Sequence, residues 1–399
     1  MSRSLLFVIA LCITGNYSIP SHAQFNAASY TVTTTSNVKY GEGELDGAPN
    51  LDLLLDIYTP TESTNSYRPC LLVVHGGSWI GGSKTSGNLA TTADYFAQCG
   101  FVAASINYRK IGDGPPNAPQ SWYDTVVPQG LSAAQAHASY AAMVDTASAV
   151  RFLRANAKTY GINPDRIFGF GSSAGAFNVL HAGLDDPSFF ASPLSINNLG
   201  ESSALQLVID FWGGMLRLGE ITAADPSVLI VHGTADGTVP YIAATALDSV
   251  LTNAGVPHDF VSLQSAGHSP WSELVNGKTL REVTHEFTLD NGDVNFDPDD
   301  VYVTFGAEPG AGSSGSPFHL LYGAVSAANS GSTIRLRSGD SGETFSGNGK
   351  IDNPVTLINN TPGSGPVTVG LTQDEAPDEA RKQGFITRNP RKLNLSPSG

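Results

Sequence analysis

The sequence predicts a mostly parallel, doubly wound α/β sheet with a small β-rich appendage toward its C-terminal end. Three observations lead there. Apolar β-type runs alternate with stretches of helical spacing from Leu51 to Phe287, the pattern of parallel strands joined by crossover helices. Several of those runs, such as residues 71–74 and, apart from Ser105, 101–106, are apolar throughout, as strands covered on both faces are. Past Asp290 the alternation stops, and short β-type runs separated by Gly, Ser and Asn replace it.

The elements follow in order. Residues 1–23 hold Arg3 near the start, an apolar run over 5–13 and a small-residue site ending at Ala23, the layout of a signal peptide cleaved before Gln24. That run is too short to cross a membrane, and no later stretch reaches the ~20 apolar residues a span requires. After a polar stretch over 30–43, residues 51–58 read as a strand and 70–75 as a buried one. Residues 88–98 read as a helix and 101–106 as the next strand. Between 139 and 160, Ala142, Val150, Leu153 and Ala157 fall at helical spacing, and Gly161 supplies the usual C-cap. A strand over 166–170, a short helix from Ala174, strands over 205–211 and 228–231, a helix over 242–253 and a strand over 260–263 follow. A last helix falls between Trp271 and Phe287. One catalytic-sized domain over 24–290 accounts for all of them.

Residues 291–318 read as a linker, whose acidic patch at 297–300 lacks the spacing of an EF-hand. Residues 319–372 contain runs at 333–336, 355–358 and 367–369 that resemble turns of a parallel β-solenoid. Solenoids need at least about three stacked repeats to bury a core. Residues 373–399, mixing acidic, basic and Pro residues, read as a disordered tail.

Composition removes several function classes. With 36 acidic against 21 basic residues and a net charge of −15, the chain is not a nucleic-acid binder that relies on a basic surface. Only 14% of residues are charged, below the quarter or so of an average domain, which suits an exported protein. Beyond the signal segment, Cys70 and Cys99 remain. Both fall at one edge of what read as neighbouring parallel strands, so a disulfide is expected, with two separate buried thiols as the alternative.

Three motifs carry the chemistry. Gly171-Ser172-Ser173-Ala174-Gly175 places Gly-x-Ser-x-Gly directly after a strand and before a helix, the context in which a serine on a sharp turn presents its hydroxyl. Ser173 is therefore the candidate nucleophile, and Ser172 lies one residue off the motif. His75-Gly76-Gly77-Ser78-Trp79 follows an apolar strand. Glycines there free backbone N–H groups to approach an oxyanion, so Gly77 and Ser78 join Ala174 as candidate donors. His75 reads as a structural histidine.

A serine hydroxyl needs a base, and the base needs a carboxylate to hold its tautomer. Asp236, on the loop after strand 228–231, and His268, on the loop after strand 260–263, stand at the right strand ends. Asp210 also ends a strand and is the competing acid; Asp225 and Asp259 have looser contexts. His258 precedes its strand and faces the wrong edge, while His137, His181, His285 and His319 read as surface or packing residues. No His-Glu-x-x-His or comparable ligand cluster occurs, so no metal and no cofactor is expected.

Together with Asn107-Tyr108-Arg109, these motifs over roughly residues 38–287 resemble the acetyl-esterase and feruloyl-esterase type of α/β-hydrolase; the His-Gly-Gly-x-Trp form is also similar to kynurenine formamidases. Ser78 and Ala176 stand where such proteins often have glycine. The resemblance implies Ser173, Asp236 and His268 as the triad and the Gly77, Ser78 and Ala174 backbones as oxyanion donors. It implies ester substrates, either small molecules or acyl groups on plant polysaccharide. The interval from Ser173 to Asp236 holds a helix and two strands, which leaves no room for a large lid. Residues 111–137 are expected to wall the site. Trp79, Trp122, Trp212 and Trp271 all follow strands toward the catalytic edge, and with Tyr123 they are the candidate substrate-binding aromatics. A serine peptidase or amidase, and a silent binding protein whose tail does the work, stay open as other functions; oligomeric state is not legible.

Overall fold

Aliphatic and β-branched runs between residues 32 and 263 pair into one eight-stranded sheet. The computed structural model describes residues 25, 27–61, 67–191, 194–294, 300–304, 333–337, 356–359, 367–369 and 393–395. The strands are β1 Val32–Leu45, β2 Ala48–Pro60, β3 Arg68–Val74, β4 Val102–Ile106, β5 Ile162–Ser172, β6 Leu207–Phe211, β7 Ser227–Gly233 and β8 His258–Leu263. Their order is β1-β2-β4-β3-β5-β6-β7-β8. β1 and β2 form an antiparallel hairpin, β2 meets β4 antiparallel, and every pair from β4 to β8 is parallel.

Alternation along the central strands splits the core in two. Leu72, Val74, Val102, Ile167, Val208 and Ile230 face a cluster fed by helices α3 Ala133–Ala155, α5 Ala174–Leu184 and α6 Tyr241–Ala254. Leu71, Val73, Phe168, Phe170, Ile209 and Val231 face the other, with α1 Gly87–Gln98 and α7 Leu280–Asn291. The sheet is thus wound on both sides, as the alternating pattern predicts. Shorter helices α2 Gln120–Val126 and α4 Ala157–Tyr160 complete the set. Among the described residues no helix is long and apolar enough to cross a membrane.

β1 falls on the stretch read as merely polar. It is an edge strand bonded on one side only, and its Thr-rich face is exposed, so nothing in its hydropathy marks it. Two buried ion pairs then fix the loops that reach the catalytic edge. Arg109, just past β4, binds Asp145 of α3 with Nη2 at 2.7 Å from Oδ1 and its backbone N–H at 2.8 Å from Oδ2. Lys84 Nζ lies 2.6 Å from Asp56 Oδ1, which anchors the loop that leads into α1. Opening one such pair by removing a partner typically costs about 3–5 kcal/mol.

The expected disulfide is absent: Cys70 and Cys99 are free, buried thiols. Cys70 points from β3 into the α3 and α5 side of the core, whereas Cys99, at the end of α1, packs on the opposite face. The sheet itself separates them. Burial pushes both thiols up, Cys70 far above its ordinary value and Cys99 to about 11.

C-terminal to this domain, β11 Asp300–Thr304, β12 Thr333–Arg337 and β13 Thr356–Asn359 pair parallel and in register. Two short β-strands, β9 Leu274–Val275 and β10 Lys278–Thr279, precede them, and β14 Val367–Val369 pairs antiparallel with β15 Leu393–Leu395. β11 therefore lies inside the stretch read as linker, and β15 inside the stretch read as disordered. The signal peptide expected over residues 1–23 lies outside the described residues.

Candidate active site

The turn that ends β5 shows why its two flanking residues are glycine. A Cβ on Gly171 would meet the carbonyl oxygen of Gly175 at 2.2 Å, and one on Gly175 would meet the oxygen of Val74 at 2.1 Å. Only bare backbone lets strand, turn and helix approach so closely. Ser173 itself sits at φ 52 and ψ −125, a conformation that costs a side-chain-bearing residue about 1–3 kcal/mol. The reward is placement: its side chain stands at the mouth of α5, above the sheet.

His268 Nε2 lies 3.0 Å from Ser173 Oγ, and His268 Nδ1 lies 2.7 Å from Asp236 Oδ2. The carboxylate is in turn held by its other oxygen, which accepts the N–H groups of Thr238 at 2.8 Å and Val239 at 3.0 Å. With Asp236 accepting, Nδ1 carries the proton and Nε2 is free to accept from the serine. Asp210, the competing acid, has no bond to His268; its Oδ1 accepts the Gly213 N–H at 2.8 Å.

Sequence reasoning missed His232, four residues before Asp236 at the end of β7. Its Nε2–H donates to Val239 O at 2.9 Å and lies 3.3 Å from Asp236 Oδ2. Burial holds this imidazole below its ordinary value, so it braces the acid's loop as a neutral ring. The i, i+4 spacing of His232 and Asp236 around a glycine was the available signal.

The second motif forms the facing wall. Gly77, Ser78 and Trp79 all take positive φ, at 116, 55 and 58, which curls the loop toward Ser173. Among the described residues, the N–H groups of Gly77 and Ser78 donate to no backbone carbonyl. The N–H of Ala174, the first residue of α5, has no intrahelical acceptor either. Three donors are thus left near the serine. His75 anchors the loop from below: Nδ1–H donates to Gly76 O at 2.7 Å, and the ring stacks on Tyr108 at 4.1 Å.

His75 also makes a measurable pH dependence. Burial lowers it to about 4 from 6.5, opposed by the Gly76 carbonyl and helped by Lys110. Its Nε2 is buried without a partner, so protonation would add a second N–H with no acceptor. Because the folded value is the lower one, the unfolded chain takes up the proton first as pH falls. Stability from this group is complete above about pH 6.5 and lost progressively toward pH 4, by close to 1.4 kcal/mol per unit in mid-range. Urea melts of wild type and His75→Gln over this window are expected to differ in slope by about that amount; parallel slopes would exclude His75 as the source.

The cleft around Ser173 has a volume of ≈ 410 Å³ and is walled by small and hydroxyl-bearing residues, among them Gly76, Ser78, Ser86, Thr238 and Ser269. Leu89 and Trp271 are its large apolar lining. Of the five aromatics proposed for substrate, Trp271 alone is in that lining. Trp79 is buried, its Nε1–H donating to Asn178 Oδ1 at 2.9 Å, and so ties the glycine loop to α5. Trp122 is buried in a satellite cluster with Phe190 and donates to Ala136 O at 3.0 Å. Tyr123 stacks on His137. Residues 111–137 therefore pack outside the cleft rather than wall it. Trp212 is buried behind the lining, 5.1 Å from Trp271 and 6.5 Å from His268 between ring centroids. Among the described residues no group of three or more His, Cys, Asp or Glu side chains is placed to hold a metal ion.

A serine on a strained strand-to-helix turn, with acid and histidine on the loops after β7 and β8 of a doubly wound sheet, is the arrangement of the α/β-hydrolase fold, and this chain has that fold. Within it, the BD-FAE family model matches residues 55–128 and 129–216, a span that includes Ser173. The chain is 26% identical over 285 residues to a probable isoprenylcysteine alpha-carbonyl methylesterase of Oryza sativa subsp. japonica, covering 60% of this chain and 61% of that protein. It is 33% identical over 137 residues to the phenmedipham hydrolase of Pseudarthrobacter oxydans, covering 33% of this chain and 24% of that one. The chain thus spans only part of the length of the curated relatives it matches. Among solved structures it is similar to a truncated carbohydrate esterase from gut microbiota, at 21% identity and a TM-score of 0.51 over 66% of this chain and 98% of that one. Propionate-bound esterase 2 of Thermogutta terrifontis is similar at 22% identity and a TM-score of 0.50, over 67% and 97%.

Proposed function

We propose that the protein is an exported serine carboxylesterase for short-acyl or aromatic-acyl esters, borne by small molecules or by polysaccharide. One observation carries the reading: the unbroken chain from Ser173 Oγ through His268 to Asp236 at the floor of an open cleft. The relatives support it, being named as a methylesterase, a hydrolase and a carbohydrate esterase.

In this mechanism His268 Nε2 takes the proton of Ser173 Oγ as that oxygen attacks the ester carbonyl. The negative charge that develops on the carbonyl oxygen meets the N–H groups of Ala174 and of Gly77 or Ser78. Collapse expels the alcohol, which receives the proton from His268, and leaves the acyl group on Ser173. Water then attacks with the same base, the acid departs and the serine is restored. Asp236 holds the ring and stabilises the imidazolium in both halves. The small, hydroxyl-rich lining favours a hydrophilic ester with a compact acyl group, and Trp271 offers a flat face to a sugar or an aromatic acid. Export rests on the leader over 1–23.

Rates on p-nitrophenyl acetate, butyrate and palmitate, a feruloyl ester and a peptide anilide test the assignment. Acetate, butyrate or feruloyl ester is expected to turn over fastest. A preference for palmitate would sink the acyl assignment, and turnover confined to the anilide would make the protein an amidase or peptidase.

A further inference from the structure

Asp210 is a buried acid that the triad leaves unused. It stands in β6 directly across from Gly171 of the serine turn and is fully buried. Val208, two residues earlier, packs on the α5 side of the sheet, so the carboxyl points the same way, beneath the start of α5. Oδ1 accepts the Gly213 N–H at 2.8 Å, and Oδ2 is buried without a partner. Burial pushes this carboxyl up to about 7, against the pull of that N–H. A buried carboxyl with one bond is unfavourable, so what the bond holds is the question.

It holds a four-residue turn that bonds the serine and backs the histidine. Phe211 O accepts the Ser173 N–H at 2.8 Å, and Val231 O accepts the Trp212 N–H at 2.8 Å. Trp212 takes φ 45, which sets its ring beside His268 and Trp271. Gly213 closes the turn in a space where a Cβ would lie 2.4 Å from Ala176 Cβ, 2.7 Å from Asp210 Oδ1 and 3.2 Å from Ser173 O. Gly213 is thus wedged between the Asp210 carboxyl and the nucleophile's backbone.

We propose that Asp210 is a positioning residue: by tying residues 210–213 shut through the Gly213 N–H, it sets where Ser173 stands and how Trp212 backs His268. The inference rests on the esterase reading above. Asp210 exchanges no proton with substrate in this role; it acts through the turn.

The test compares wild type, Asp210→Ala and Asp210→Asn on p-nitrophenyl acetate, with rates normalised to the fraction of Ser173 that a fluorophosphonate labels at completion. Normalisation removes any loss due only to unfolding. Asp210→Ala is expected to lose at least about 30-fold in kcat with KM within about threefold, and to be labelled more slowly in parallel, since an ångström of misplacement costs up to about 10²-fold. Asp210→Asn keeps an oxygen for the Gly213 N–H and is expected to recover most of that loss. If Asp210→Ala does not fold, Gly213→Ala, which drives a methyl against Ala176, is expected to show the same fall in kcat. A folded Asp210→Ala or Gly213→Ala with kcat within about threefold of wild type overturns the proposal, as does an Asp210→Asn impaired as deeply as Asp210→Ala. A wild type that neither hydrolyses the ester nor takes the label overturns the esterase reading itself; an active wild type with an unimpaired Asp210→Ala overturns only the role of Asp210.

Discussion

Ser173→Ala is expected to lower kcat on p-nitrophenyl acetate by about 10⁴- to 10⁶-fold while the protein stays folded. Oγ is the atom that bonds to the acyl carbon, and 3.0 Å separates it from His268 Nε2. Ser172, also lining the cleft, makes no bond to His268 and offers no replacement. Stability should move differently. Alanine keeps the strain of φ 52, whereas glycine relaxes it, so Ser173→Gly is expected to be inactive yet more stable than Ser173→Ala by about 1 kcal/mol. Thermal melts and steady-state rates on the three proteins check both halves. A Ser173→Ala protein within a hundredfold of wild type would remove the serine from the chemistry.

Asp236→Asn is expected to cost about 10⁴-fold in kcat with little change in fold. The N–H groups of Thr238 and Val239 both point at Oδ1, so the amide oxygen of asparagine takes that position. Its NH₂ then faces His268 Nδ1, which must accept, and the ring proton moves to Nε2. That tautomer points a hydrogen at Ser173 Oγ and has no lone pair to receive one. Rate measurements beside a melt check the outcome; an Asn variant within tenfold of wild type would show that Asp236 does not set the tautomer.

The features legible in the sequence were those written locally. Gly171, Ser173 and Gly175 lie within five residues, and each glycine answers a contact made inside the same strand, turn and helix. Asp236 and His268 could be placed because each follows a short apolar strand and stands beside a glycine, so strand order alone brings them to the edge where Ser173 sits. β1 was not legible, since an edge strand with one exposed face and Thr-rich sequence carries no hydropathy signature. The tryptophans failed for a different reason. Following a strand places the backbone near the catalytic edge, but whether the ring enters the cleft depends on neighbours far along the chain. Trp79 meets Asn178, and Trp122 meets Phe190. His232 was hidden in the same way, and Asp210 was legible only as a competing acid, because the backbone groups of turns that fix their roles have a shape the sequence does not spell out.

Cys70 and Cys99 lie on opposite sides of an intact sheet, and that arrangement has a practical consequence for handling the protein. No covalent crosslink has to form before this domain reaches its native state, so its maturation asks nothing of thiol oxidases or isomerases. Production in a reducing bacterial cytosol, and assay in millimolar dithiothreitol, should leave both yield and turnover unaltered.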